Sequence, residues 1–100
     1  MLSAPSITAI GLGLPPALNI DKTLQPTIPD SGEVWQSTVE VGDPDSDPGD
    51  WSLLEGGLTW SDSGGFWSAN TTVNQTDVYV IGRYSLGGVN SPWSAISAAP

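Results

Sequence analysis

Apolar and polar positions along this chain alternate with period two, the repeat of a half-buried strand. The clearest run is Glu33 to Val41. Trp35, Ser37, Val39 and Val41 share one face, and Gln36, Thr38 and Glu40 share the other. That pattern predicts an antiparallel strand with one wet side. Upstream, Ser6 to Leu14 sets Ile10, Leu12 and Leu14 on one face and ends at Pro15-Pro16. Ala17 to Leu24 reads as a second strand, with Leu18 and Ile20 facing one way. Gln25 to Gly32, broken by Pro26, Pro29 and Asp30-Ser31-Gly32, reads as a loop. Downstream come an acidic turn over Gly42 to Asp50 and a short strand at Trp51-Ser52-Leu53. A turn at Glu55-Gly56-Gly57 leads to a brief segment, Leu58-Thr59-Trp60. Ser61 to Gly65 reads as a polar loop. Phe66 to Val73 is a further strand, with Trp67, Ala69 and Val73 on one side.

The last quarter is strand, hairpin and edge strand. Thr76 to Ser85 is β-branched and aromatic, which suits a pleated surface. Gly87-Gly88 tolerates the positive φ of a tight hairpin. Pro92 opens the final run before Trp93, where a missing ladder N–H does least harm. With 12 Gly and 9 Pro spread through 100 residues, no window holds a helical period. The prediction is all-β: one antiparallel β-sandwich of about seven strands over residues 1–100, with extended arms at 1–5 and 97–100. Its expected core is Ile10, Leu18, Ile20, Trp35, Val39, Trp67, Val78, Val80 and Tyr84.

Charge narrows the partners. Eleven acids face two cations, Lys22 and Arg83, for a net charge of −9. A phosphate backbone or an anionic membrane surface needs cations that this chain lacks, so neither nucleic acid nor membrane is expected as a partner. The start carries no basic region, and the apolar run Ile7 to Leu18 is interrupted by Gly and Pro, so neither a signal peptide nor a membrane span is expected. The chain has no Cys and no His. Disulfides, thiolate sites, imidazole–metal sites and the common nucleophilic triads are therefore absent, and no enzyme and no cofactor is expected.

Several stretches resemble a fibronectin type III domain. Thr38-Val39-Glu40-Val41, the acidic turn and Asp50-Trp51-Ser52-Leu53-Leu54 resemble its third strand, loop and following strand. Thr76-Asp77-Val78, with Val80, Gly82 and Tyr84 alternating after it, resembles its sixth strand. Gly87-Gly88 and Asn90-Ser91-Pro92-Trp93-Ser94 resemble its last hairpin and strand. The chain departs from the family where it has Val78 in place of the usual Tyr. The resemblance implies an immunoglobulin-like sandwich that binds or connects other proteins. It also implies one use of such small modules, decorating the exterior of a tailed-bacteriophage capsid.

Three groups of residues could carry function. Asp43, Asp45, Asp47 and Asp50 imitate the start of a calcium loop. Pro48 stands where that loop needs Gly and Leu54 where it needs Glu, so a solvated acidic turn is the competing reading. Trp51, Trp60 and Trp93 lie near turns or edges, where they either cap the core or form an interface. Arg83 points outward from its strand, towards a cross-strand acid or a docking contact. Leu2 and Ile7, in the apolar N-terminal segment, are candidates for docking on a neighbour.

Together these point to a structural binding protein of a virion, made in the host cytoplasm and carried on the capsid surface. Its expected partner is the major capsid protein or another virion protein, with assembly into an oligomer on the particle left open. The competing readings are a carbohydrate-binding or adhesion module using exposed Trp, and a calcium-stabilised module.

Overall fold

The computed structural model describes residues 2–100 and contains nine strands and no helix. They are β1 (Ser6–Thr8), β2 (Ala17–Asp21), β3 (Ser31–Ser37), β4 (Ser52–Glu55), β5 (Ser61–Ser63), β6 (Phe66–Asn70), β7 (Tyr79–Leu86), β8 (Val89–Asn90) and β9 (Ser97–Ala98). One sheet runs β1-β2-β6-β5; the other runs β4-β3-β7-β8, with β9 also paired to β7. Every pairing is antiparallel. The chain is an all-β sandwich, and its strand order is compatible with an immunoglobulin-like arrangement.

Inward side chains from both sheets make one core. Leu18 and Ile20 on β2 and Ala69 on β6 meet Val34 on β3 and Val80 and Tyr84 on β7. Leu58 and Trp60 close it from the β4–β5 connection. Trp60 meets Tyr84 edge to face, with ring centroids 6.0 Å apart. Gly82 is packed tightly against the facing sheet: an added Cβ would lie 2.5 Å from Leu18 Cδ2 and 3.0 Å from the Glu33 carbonyl. Only a residue without a side chain fits there.

Which face of β3 turns inward decides which residues reach this core. The strand starts at Ser31, two residues before the predicted Glu33, and ends at Ser37, whose hydroxyl accepts the Val39 N–H. Gly32 and Val34 face inward, so Trp35 lies on the outer face. Period two makes that phase all-or-none. Three more predicted core residues are exposed: Ile10 by 69%, Val39 by 42% and Val78 by 37%. Val39 and Val78 lie just outside their strands. Ile10 lies past the end of β1, because the chain leaves the sheet after Thr8 and turns through Gly13, at φ +83°.

Nine strands replace about seven for two reasons. The predicted polar loop at Ser61 to Gly65 is β5 and a turn, folded back on β6 through Gly64 at φ +70°. The predicted last strand is broken in two. Along β7, the stretch Ser85 to Val80 is faced by Asn90 to Ser97, so the segment between β8 and β9 bulges outward. Hydroxyls carry the ladder across the gap. Tyr84 N–H donates to Ser91 Oγ at 3.1 Å and Gly82 N–H to Ser94 Oγ at 3.0 Å. Pro92 sits in the bulge, where it has no ladder bond to lose. The hairpin forms as predicted, with Gly87 at φ +62° and Gly88 at φ +77°.

Candidate functional site

Most of the predicted contact residues are taken up by the domain itself. Leu2 and Ile7 are partly buried and pack against the inter-sheet core. At the other end β9 joins β7, and Ala99 donates its N–H to the Val78 carbonyl at 2.6 Å. Both terminal arms therefore lie on their own sandwich; Met1, in the first arm, lies outside the described residues. Trp51 and Trp60 are only 4% and 8% exposed, so neither is a surface ring. Each donates its indole N–H to a carbonyl, Trp51 to Gly42 and Trp60 to Ser31. Burial with a satisfied N–H is how a small core uses Trp.

Arg83 and Trp93 come together on the outer face of the five-stranded sheet. Arg83 stands opposite Glu33 in the β3–β7 register, and its Nε donates to Glu33 Oε1 at 2.6 Å. Its guanidinium carbon lies 4.1 Å from the centroid of the Trp93 ring. Asp45 Oδ2 accepts from Arg83 Nη1 at 3.3 Å and from Trp93 Nε1 at 2.8 Å. Trp93 in turn meets Trp35 edge to face at 6.4 Å. This clasp holds the long β3–β4 loop against the sheet. Ile81 alternates onto the same outer face, yet is only 2% exposed. Trp35 Nε1 is buried there without a hydrogen-bond partner.

Two carboxylates of that loop serve different ends. Asp43 Oδ1 accepts from the backbone N–H groups of Asp45 and Ser46, which forms a turn. Asp45 closes the clasp. Among the described residues no group of three or more acidic side chains gathers to hold a metal. The turn that resembled a calcium loop is built as a folded cover. Elsewhere, the Thr23 backbone and hydroxyl hold Asp21 below the ordinary carboxylate value, and the Lys22 ammonium does the same for Asp62.

One end of the sandwich has a different character. The β1–β2 loop and the β6–β7 loop meet there and are zipped by backbone bonds. Gly13 N–H donates to the Gln75 carbonyl at 2.7 Å, Gln75 N–H to Leu14, and Thr71 N–H to Pro16. Gln75 is fully buried beneath them. Despite this bracing, Ile10, Leu12, Leu14 and Val73 are 69%, 51%, 46% and 41% exposed. Neither residues 2–20 nor residues 63–76 contain a charge, and ten of the eleven acids lie from Asp21 to Asp62. A solvated loop has no need of three large apolar side chains on alternate residues, so the local signal was in the sequence. Alternation alone predicts a buried strand face for that run.

Strand edges offer no comparable contact. β1 and β5 have three residues each, β4 carries a register shift opposite Val34 and Trp35, and the β8–β9 edge is broken at Pro92. Short, bulged and proline-broken edges resist strand addition. Comparison of the chain with protein-family models, with curated proteins and with solved structures finds no match.

Proposed function

We propose that the chain is a non-enzymatic attachment module that docks on another protein through its apolar end. The observation that carries this reading is the contrast at that end. Ile10, Leu12 and Leu14 are exposed on a loop that backbone bonds hold in shape. A preformed apolar projection loses little freedom on binding, so more of its contact energy becomes affinity. The two loops carry no charge of their own, and the Glu55 carboxylate that reaches them is held by the Thr72 N–H and hydroxyl. The acidic β3–β4 loop stays on the other sheet's outer face, in water.

The partner we propose is the capsid of a tailed phage, with the chain as a decoration protein on its exterior. Support for this finer step is the known use of small β-sandwiches in that role. A symmetric shell would hold many copies, and a weak single contact suffices when sites are repeated. The test is co-sedimentation of the purified chain with emptied shells that lack it. Binding that saturates with shell sites is expected; a chain left in the supernatant refutes the capsid assignment.

The carbohydrate reading depends on paired exposed Trp rings. Trp35 and Trp93 stand at 84° to each other, and Trp51 and Trp60 are buried, so no observation favours it.

A further inference from the structure

On the outer face of the five-stranded sheet, beside the Arg83 clasp, lies a small depression of about 60 Å³. Ser31, Glu33, Arg83, Ser85 and Asn90 line it, with Gly57 at its rim. The register explains the grouping. Ser31 faces Ser85, Glu33 faces Arg83, and Asn90 faces Ser85, so alternation turns all five side chains to one side. Gly57 is brought in because Leu58 N–H donates to the Gly32 carbonyl at 3.0 Å. A Cβ at Gly57 would meet nothing within 4 Å.

Arg83 supplies no free charge to this depression, because Glu33 and Asp45 both engage it. With one guanidinium against two carboxylates, the local balance is −1, in a chain of net charge −9. Glu33 uses one oxygen on Arg83 and keeps the other. The hydroxyls of Ser31 and Ser85 and the amide of Asn90 have no hydrogen-bond partner among the described residues. The space is therefore rich in uncommitted acceptors and carries negative charge. It is shallow and opens to solvent beside Gly57. The end of one side chain fits it. Lysine presents three N–H donors, no acceptor and a full positive charge on a compact tip.

We propose that this depression binds a primary ammonium group, the tip of a lysine side chain. That the lysine belongs to the docked protein rests on the attachment reading above. The pocket's preference for an ammonium does not.

The test needs no partner. The full chain, ¹⁵N-labelled, is titrated with methylammonium chloride at constant ionic strength, with tetramethylammonium chloride and ethylene glycol as controls. Saturable shifts are expected at the amides of Ser31, Gly32, Gly57, Ser85 and Asn90, with a Kd on the order of 10 mM. The variant pair Ser31→Val and Asn90→Leu leaves the Glu33–Arg83 bond in place and should weaken binding at least about tenfold, equivalent to 1.4 kcal/mol. Spectra as dispersed as those of the parent chain show that the variants fold. Equal shifts with tetramethylammonium mean screening alone, and equal shifts with ethylene glycol mean a hydroxyl site; either overturns the proposal, as does the absence of shifts. A chain that binds methylammonium but fails to bind shells would keep this site and lose the capsid assignment.

Discussion

Replacing Ile10, Leu12 and Leu14 together by Ser tests whether the apolar end serves attachment or folding. Their exposures, 69%, 51% and 46%, correspond to about one and two-thirds large side chains left uncovered. Full burial of one such side chain is worth about 1.5–3 kcal/mol. Covering all three in a complex is therefore worth about 2.5–5 kcal/mol in gross terms, or roughly two to three and a half decades in Kd. The folded domain already covers the remaining one and one-third side chains' worth, so its own stability should fall by about 2–4 kcal/mol in gross terms. The zipper to Gln75 uses backbone groups, which Ser retains. The assay pairs a thermal melt with single-site binding to stripped shells. A cooperative melt, lowered by that amount, with binding weakened at least about 100-fold is expected. A cooperative melt with unchanged binding would refute attachment through this end. A melt that collapses would show instead that the loop is part of the fold.

Other consequences can be checked on the isolated chain. Gly82→Ala forces a Cβ against Leu18 and the Glu33 carbonyl, and should cost about 1–3 kcal/mol by denaturant unfolding; a neutral result would show that the sheets can move apart. Arg83→Met removes both ion pairs and the contact with Trp93. We expect a loss of about 1–2 kcal/mol, faster proteolysis between residues 38 and 50, and stronger acrylamide quenching of Trp fluorescence. Unchanged cleavage in that segment would refute the clasp. Burial pushes the Tyr84 phenol above its ordinary 10.0, against a smaller opposing effect of the Ser3 backbone N–H. The unfolded chain ionises first, so this contribution to stability is intact below pH 10 and declines as pH rises through the folded value. Tyr84→Phe should flatten the alkaline fall in melting temperature; an identical fall in the variant would assign it to other groups.

The β7–β8 hairpin and the inward residues Leu18, Ile20, Val80 and Tyr84 were legible in the sequence, because period two and paired glycines act locally. The pairing of Arg83 with a cross-strand acid was also anticipated, since a lone outward Arg on a central strand has few other partners. Trp35 and Ile10 depart from the alternation for opposite reasons. A one-residue phase in β3 turns Trp35 to the outer face, and no local pattern sets that phase. Ile10 belongs to an alternating run that looks like a strand, and only the turn after Thr8 takes it out of the sheet.

The alternation and the scattered Gly and Pro determined an all-β chain, and the composition determined its charge and its lack of thiol and imidazole chemistry. Those properties follow from each residue and its neighbours. The tertiary structure decided which apolar residues are covered. It placed Trp51 and Trp60 inside, left Ile10, Leu12 and Leu14 outside, folded the acidic loop onto Arg83 and Trp93, and gathered Ser31, Glu33, Ser85 and Asn90 around one depression. Burial depends on contacts between residues distant in the chain, and those contacts exist only once the two sheets have closed on each other.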